Sequence, residues 1–487
     1  MVKEYINKKA IALAIVFAIA GTSSIFAEVF KPIQIFLPGN LEGRLITFSE
    51  DQKAEGSEAF KLPYVINDFR NTKDKEYLTL GLGNDSDLFK PFSYLTQGSA
   101  ERELIQRCSP AAIGISPNDL EVFNGSLLNK DIRERVFTNV EAPDYNEIFT
   151  RYRLTKAGNQ NVYFFNFIAP EYCSRLPLSM WSQIRVDNPV RSLLKLGLEF
   201  TDKDYSVSVV YGDKAIFDEL TQELNYRKGI HFLINVPMKG EPPIFKSTTP
   251  RATGNVYCFS VENGEKTLPI LNIIPKNFGH PRTTIRMTQL KRFSKPSADE
   301  DFNRAWQQVK QSFHKPLRVI PTTNRPTTSA NRISLHAHAK MLKYAAHTEV
   351  ALIKLPKQIS FRESVMTVGD CITRFPNDRI IRFRATETQI KKMFLGLIQD
   401  GNIRDIGVAG CDITNLGTHL FEFNISHTSI DKARLYTVAT TENTALEFNV
   451  KNILNNCIVE DYDGMTLWGV WKDNLQSYKL PESELFE

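Results

Sequence analysis

Short apolar runs typical of buried strands alternate with helical or polar stretches over residues 28–292. The runs cover residues 33–37, 77–80, 162–168, 207–211 and 231–236. This alternation is typical of layered α/β folds, in which helices cover a largely buried sheet. In such folds ligands bind at loops that follow the strands. We therefore predict a mixed α/β (α+β) fold with its functional side chains in the loops after these runs.

The chain also carries signals for a second folded unit. Its 487 residues exceed the usual size of one core, and a hydrophobic content of 42% is sufficient for two. Residues 294–301 form a helix start signal that predicts a helix over residues 302–313, and the Pro- and Thr-rich segment 320–330 predicts a linker. We predict a first domain over residues 28–292, a helix and linker over 293–329, and a second domain over 330–487.

Residues 1–27 have the pattern of a secretory signal peptide. Three lysines precede an apolar run that ends in small residues before Ala27. The run is too short for a stable membrane span, although a retained interfacial anchor is the alternative. Cleavage would remove three lysines and one glutamate and lower the formal net charge of +5 by two, which is too mild to indicate a nucleic-acid partner. We expect export to the periplasm or the extracellular space.

The six cysteines do not form a metal motif. They are Cys108, Cys173, Cys258, Cys371, Cys411 and Cys457, without a C-x-x-C pair. Export permits disulfides, and buried free thiols are the alternative. The chain also lacks G-x-S-x-G, G-x-x-x-x-G-K and H-E-x-x-H. It therefore has no sequence signal of an α/β-hydrolase nucleophile, a phosphate-binding P-loop or a zinc-protease helix.

Polar residues do follow the predicted strands. The segment 37–45, which reads LPGNLEGRL, resembles the opening T-N-D-x-H-G motif of the 5′-nucleotidase family, with Asn40 and Glu42 at two metal-ligand positions. The segment GLGN, which ends at Asn84, resembles the family's D-x-G-D, and residues 114–119 resemble G-N-H-E-x-D and retain Asp119. The resemblance also places Tyr211 or Gly212, Val236 and Met238 where the family has histidines.

Replacement of these ligands predicts that the family's two-metal site is lost. The first histidine in the chain is His231, whereas a dimetal site is built from imidazole and carboxylate ligands. We expect no metal cofactor. The alternative is a phosphoester hydrolase with a divalent metal in a rebuilt site that uses Glu42, Asp119, Asn40 and Asn84. A weaker alternative is a Mg²⁺ or Ca²⁺ site formed by Glu42, Asp85 and Asp119.

The second domain carries the stronger resemblance. Residues 366–370 match the family's I-T-x-G-D motif, and residues 374–377 match P-F-x-N. In the family this domain holds a nucleotide base between two aromatics and uses an arginine as well. The resemblance therefore implies substrate-binding roles for Phe375, Arg362 and Phe448. The alternatives are a half-buried loop aromatic for Phe375 and a surface salt bridge for Arg362.

The resemblance spans nearly the whole mature chain and implies a two-domain protein. It predicts an N-terminal metallophosphoesterase-like β-sandwich with helices and a C-terminal 5′-nucleotidase-type domain. The function predicted is that of an exported, catalytically inactive binding or interaction protein, whose candidate ligand is a nucleoside or nucleotide and whose protein partner is unknown. A structural or host-facing surface protein that uses neither site is a further alternative, and an exposed apolar patch would favour it.

Overall fold

The computed structural model describes residues 31–477 with several gaps. The gaps are residues 50, 73, 123–134, 142–149, 176–183, 239–240, 248–249, 263, 277–279, 320–330, 333, 356–359, 362–364, 400–404, 418–419, 426–433, 455 and 461–465. The predicted signal peptide and linker therefore lie outside the described residues. A few side chains within helices and strands, including that of Phe448, are also outside the description.

Two β-sheets pack face to face in the first half of the chain. Its strands are β1 (Ile33–Phe36), β2 (Ile46–Phe48), β3 (Ala54–Gly56), β4 (Glu76–Gly81), β5 (Ala112–Ile113), β6 (Val140–Glu141), β7 (Arg153–Ala157), β8 (Gln160–Ile168), β9 (Arg185–Val186), β10 (Tyr205–Tyr211), β11 (Ile230–Asn235), β12 (Arg251–Thr253), β13 (Val256–Ser260), β14 (Thr267–Ile274) and β15 (Arg282–Gln289). One sheet has the order β15-β14-β1-β4-β5, and the other has the order β12-β13-β11-β10-β8-β7.

The central strands of both sheets run parallel. Strand β4 pairs in parallel with β1 and β5, and β10 pairs in parallel with β8 and β11. Every residue of β10 is buried, as expected for a central parallel strand covered on both faces. Side chains from the two sheets, such as Ile35 and Val209, share one apolar core.

Helices cover the outer faces of the two sheets. The helices of this half are α1 (Leu62–Arg70), α2 (Pro91–Thr96), α3 (Ser99–Arg107), α4 (Pro117–Val122), α5 (Pro189–Lys195) and α6 (Lys214–Asn225). Helices α1 and α3 pack on the first sheet, together with α7 (Pro296–Phe313), which leads to the second half. Helices α5 and α6 pack on the second sheet.

The second half is a smaller α/β unit. Its strands are β16 (Pro316–Val319), β17 (Asn331–Arg332), β18 (Val350–Lys354), β19 (Ser360–Phe361), β20 (Val365–Thr367), β21 (Ile380–Thr386), β22 (Ile406–Ala409), β23 (Cys411–Gly417), β24 (Leu420–Ile425), β25 (Leu435–Thr441) and β26 (Ile458–Glu460). Its helices are α8 (Leu335–Ala345), α9 (Val368–Arg374), α10 (Glu387–Gln399), α11 (Glu442–Leu446), α12 (Phe448–Leu454) and α13 (Leu467–Gln476). Helices α8 and α13 share one core with the five-stranded sheet β22-β18-β25-β21-β26, and α10 and α12 share the other.

The two halves contact each other through aromatic rings. Phe48 stacks on Phe313 with 4.6 Å between ring centroids, and Tyr94 meets Trp468 edge to face at 5.3 Å. The Asn377 side-chain amide also donates to the Leu88 carbonyl at 3.1 Å. The segment that follows β4 therefore reaches the second half directly.

The five strands predicted from the apolar runs are confirmed with small shifts at their ends. The predicted helix at residues 302–313 is also present, but it begins earlier, at Pro296. Proline is well suited to the first turn of a helix, because its missing N–H would have no partner there. The start signal therefore lies inside the helix rather than before it.

Two further observations bear on the predicted chemistry. Five cysteines are free thiols rather than disulfide-bonded, as the alternative from the sequence allowed. They are Cys108, Cys258, Cys371, Cys411 and Cys457. Among the residues that the structure describes, no helix is long and apolar enough to cross a membrane.

Candidate functional site

Two loops at the carboxyl ends of β1 and β4 form the candidate site. Their backbones join at three hydrogen bonds, in which the amides of Asn40, Glu42 and Gly43 donate to the carbonyls of Gly83, Asn84 and Asp85 at 2.7, 2.9 and 2.9 Å. The parallel pairing of β1 with β4 brings both loops to the same edge of the sheet. The candidate residues after both strands are therefore neighbours.

Each loop contains a glycine followed by an asparagine with positive φ. Gly39 and Asn40 have φ of 133° and 58°, and Gly83 and Asn84 have φ of 80° and 56°. A Cβ at Gly83 would lie 2.6 Å from the Gly114 carbonyl oxygen, so this position requires glycine. Asparagine tolerates the left-handed conformation better than most residues, which suits it to the second position.

The two asparagine side chains bind each other. The Asn84 Nδ2 donates to Asn40 Oδ1 at 2.7 Å, and the Asn118 Nδ2 donates to Asn84 Oδ1 at 3.1 Å. Asn84 is fully buried and Asn40 is 5% exposed. Two aspartates at this distance would repel each other unless cations lay between them, whereas two amides supply both a donor and an acceptor.

Asp119 joins a third loop to this pair. Its carboxylate accepts hydrogen bonds from the backbone amides of Asn84 at 2.6 Å, Ser116 at 3.0 Å, and Asp85 and Ser86 at 3.1 Å. The Ser116 hydroxyl donates to it at 3.0 Å as well. Both carboxylate oxygens are therefore engaged by the loops, which makes Asp119 a structural clamp rather than a free metal ligand.

The Glu42 carboxylate is paired with a basic side chain. It forms an ion pair with Arg44 at 2.9 Å, and its side chain is 18% exposed. Burial raises the pKa of Glu42, while the positive charges of Arg44 and Lys90 oppose the shift. Glu42, Asp85 and Asp119 do not converge as a Mg²⁺ or Ca²⁺ site would require, since no three described carboxylate, imidazole or thiol side chains lie close enough to hold an ion.

Apolar and phenolic groups occupy the expected histidine positions. Val236 is 1% and Met238 is 3% exposed, and both belong to the core between the sheets. Tyr211 is also buried, and its hydroxyl donates to the Leu82 carbonyl at 2.7 Å, which holds the β4 loop in place. Neither Val236 nor Met238 offers a hard ligand to a divalent metal.

The burial of Asp85 is a feature that the sequence did not predict. Asp85 is fully buried, and neither carboxyl oxygen has a hydrogen-bond partner among the described residues. Burial raises the pKa of Asp85 well above its usual range, and the carboxylate of Asp119 raises it further against the opposing charge of Arg135.

The predicted substrate residues of the second half are placed differently. Phe375 is only 3% exposed, its ring lies 4.5 Å from the ring of Trp471 and 5.8 Å from that of His338, and its carbonyl accepts from the Trp468 indole at 2.9 Å. A base could stack on this ring only after core side chains moved. Phe375 is thus more deeply buried than the half-buried loop aromatic that the sequence analysis gave as the alternative. Arg362 lies outside the described residues, as does the Phe448 side chain. Their roles stay predictions.

The architecture is that of the 5′-nucleotidases, with a layered first half and an α/β second half. Solved structures with this fold include a 5′-nucleotidase precursor from Thermus thermophilus, with 14% identity, a TM-score of 0.52 and coverage of 93% of this chain and 97% of that one. A Staphylococcus aureus protein assigned as a 5′-nucleotidase has 11% identity, a TM-score of 0.64 and coverage of 93% and 98%. The NAD nucleotidase of Haemophilus influenzae has 10% identity, a TM-score of 0.51 and coverage of 92% and 96%.

These identities establish a shared fold and no shared residue roles. The sequence matches no protein-family model and no curated protein. The structural neighbours cover both halves of the chain, so the likeness is not confined to one sheet. The fold expected from the sequence motifs is therefore confirmed, while the site must be judged on its own chemistry.

Proposed function

We propose that this chain is an exported, 5′-nucleotidase-like protein that has lost two-metal hydrolysis and acts by binding. The observation that carries the proposal is the hydrogen bond of 2.7 Å between the side chains of Asn84 and Asn40. In an active two-metal enzyme, anionic ligands at such positions offset the charge of two cations that activate water and neutralise phosphoryl oxygens. Two neutral amides that satisfy each other do not fit that donor set.

Burial adds a second argument. Asn84 is fully buried, and Val236 and Met238 belong to the same apolar core as Leu82, which precedes the β4 loop asparagine. A ligand that bound the Asn84 side chain would have to replace its hydrogen bonds with Asn40 and Asn118, and the buried amides would then lose their partners. The buried amide pair therefore favours a binding protein over an enzyme.

The rival function is a phosphoester hydrolase with a rebuilt site. It would need carboxylates of Glu42 and Asp119 together with the amides of Asn40 and Asn84. Asp119 is held by backbone amides, and Glu42 is held by Arg44, so neither carboxylate is available without a change in the loops. The rival therefore predicts a rearrangement on metal binding.

The proposed ligand is a nucleoside or nucleotide bound by the second half. Support comes from the sequence motifs of residues 366–377 and from the fold shared with proteins whose names describe nucleotidases. Because Phe375 is enclosed in the core, a ligand would require movement near Trp471 or contacts from Arg362 and Phe448 alone. We therefore expect affinity in the micromolar to millimolar range. The predicted signal peptide at residues 1–27 supports binding in the periplasm or outside the cell.

Metal content and hydrolysis measured on one preparation test the proposal. The purified protein is incubated with Mn²⁺, Zn²⁺ or Mg²⁺, dialysed, analysed for bound metal and assayed with nucleoside monophosphates. We expect no stoichiometric metal and no turnover. The proposal is refuted by metal-dependent turnover at about 1 to 1,000 per second that Glu42→Ala abolishes. Glu265→Ala is the matched control, because Glu265 also pairs with Arg44, at 3.6 Å.

A thermal-shift titration with adenosine, AMP and uridine nucleotides tests the binding part separately. A concentration-dependent rise in melting temperature supports it. If no nucleotide changes the melting temperature, the structural or host-facing alternative replaces it, whatever the metal analysis gives.

A further inference from the structure

A groove between α5 and α6 lies on the outer side of the second sheet. The two helices bury Leu193, Phe217 and Leu220 against the sheet. On the groove side, Val190, Arg191 and Leu194 form one wall, and Glu219, Gln222 and Tyr226 contribute to the other, around a volume of about 540 Å³. The groove is therefore separate from the loops of the candidate site, and the inference drawn from it does not rest on the proposed function.

Two large apolar side chains stand exposed in this groove. Tyr226 is 82% exposed and Leu194 is 53% exposed. Single exposed apolar residues are common on protein surfaces and need no explanation, but Leu194 and Tyr226 line the same groove. Tyrosine is also enriched at the centres of protein interfaces, where its ring is buried and its hydroxyl finds a partner.

Among the described residues, the two walls carry opposite charges that form no ion pair with each other. Arg191 forms no ion pair with another described residue, although Glu219 and Glu223 stand on the facing wall. Glu223 is bound to Arg227 at 2.9 Å, whereas Glu219 accepts a long hydrogen bond from the Asn188 side-chain amide at 3.5 Å. Each wall therefore presents one weakly partnered charge beside one exposed apolar group.

We propose that this groove is the interface of a two-fold symmetric dimer with a second copy of the chain. A two-fold axis places the α5 wall of each copy against the α6 wall of the other, because such an interface uses the same surface twice. Arg191 then faces Glu219 of the other copy, and Leu194 packs on its Tyr226. Both the charge pattern and the apolar pattern of the groove are satisfied by this one arrangement.

Sedimentation velocity of the purified protein across micromolar concentrations tests the dimer. We expect reversible dimerisation that Leu194→Asp and Tyr226→Asp each weaken by about tenfold or more in Kd, as expected for central interface residues. Leu446→Asp is the matched control, since Leu446 is 58% exposed but lies in the second half. A far-UV circular dichroism spectrum that matches the wild type shows that each variant is folded.

A charge exchange tests the pairing itself. Arg191→Glu and Glu219→Arg are expected to weaken the dimer singly, and the double variant is expected to restore it, because the exchanged charges face each other again. A wild-type protein that is monomeric throughout the range overturns the proposal, and so does a dimer that survives the Leu194 and Tyr226 changes. Failure of the double variant to recover dimerisation overturns the two-fold pairing.

Discussion

Replacement of Asn84 by aspartate is the sharpest test of the amide pair. In the wild type the Asn84 Nδ2 donates to Asn40 Oδ1 at 2.7 Å within a fully buried site. Asn84→Asp removes that donor and leaves two acceptors facing each other, with Asp119 bound to the backbone of the same residue at 2.6 Å. The change is nearly isosteric, so its cost is electrostatic rather than steric.

The magnitude depends on the ionisation of the new carboxyl group. A lost hydrogen bond with an unsatisfied buried acceptor costs about 1 to 3 kcal/mol, and an unpaired buried charge raises the cost to about 3 to 5 kcal/mol. Burial and nearby Asp119 would raise the pKa of this carboxyl above its unfolded value of about 4. The stability penalty is therefore small below about pH 4, where the protonated group can donate to Asn40. It grows as the pH rises from the unfolded pKa to the folded pKa of this carboxyl group and is constant above that.

Urea unfolding at about pH 5 and pH 8 measures this difference relative to the wild type at each pH. We expect a loss of about 1 kcal/mol at the lower pH and about 3 to 5 kcal/mol at the higher. Asn272→Asp is the control for the same chemical change at a half-buried position, because Asn272 Oδ1 accepts from Gln34 Nε2 at 2.6 Å and a carboxylate keeps that bond. The donor that this control loses makes only a long contact of 3.4 Å with the Ile270 carbonyl. A loss below about 1 kcal/mol at pH 8, or recovery of stability on addition of Mn²⁺, would refute the reasoning.

Three further predictions concern activity, packing and pH. The triple variant Asn40→Asp, Glu42→His and Asn84→Asp is expected to remain inactive in a phosphatase assay, because the apolar residues after β11 still supply no ligand; measurable turnover contradicts this. Phe375→Ala is expected to lower the free energy of unfolding by about 3 to 5 kcal/mol, since it leaves a cavity in the core; a loss below about 1 kcal/mol in urea unfolding would place the ring at the surface. Burial raises the pKa of Glu101 to about 7. The folded state therefore gains stability from protonated Glu101 that is fully present below about pH 4.5 and is lost as the pH rises through 7, which lowers the free energy of unfolding by about 3 kcal/mol. Glu101→Gln is expected to remove this part of the pH dependence, and an unchanged pH profile of urea midpoints would disprove it.

The strands and the loop positions were predictable because each depends on local pattern. An apolar run bounded by turn residues indicates a buried strand wherever it occurs, and parallel pairing then brings Asn40 and Asn84 to one edge. Their proximity is observed, while their functional roles remain predictions. Local pattern does not predict the ion pair of Glu42 with Arg44 or the burial that raises the pKa of Glu42, because both depend on how the loops fold.

The burial of Phe375 depends on sequence-distant packing. Its ring is enclosed by Trp471 and His338, which lie on separate helices, and no local pattern states which helices will meet there. The isolation of Asp85 was missed for a similar reason. It stands beside a motif position in the sequence, but only the fold shows that its carboxyl oxygens have no partner among the described residues.

The segment after β4 gives the two halves a common mechanical element. It begins at the Asn84 side chain in the amide pair and ends at Tyr94, whose ring packs against Trp468 in the second half. Unfolding of the loops would break the contact between Tyr94 and Trp468, and separation of the two halves would destabilise the loops through the same segment. We therefore expect heat to unfold both halves in one calorimetric transition, with a van't Hoff enthalpy that matches the calorimetric enthalpy of the whole chain.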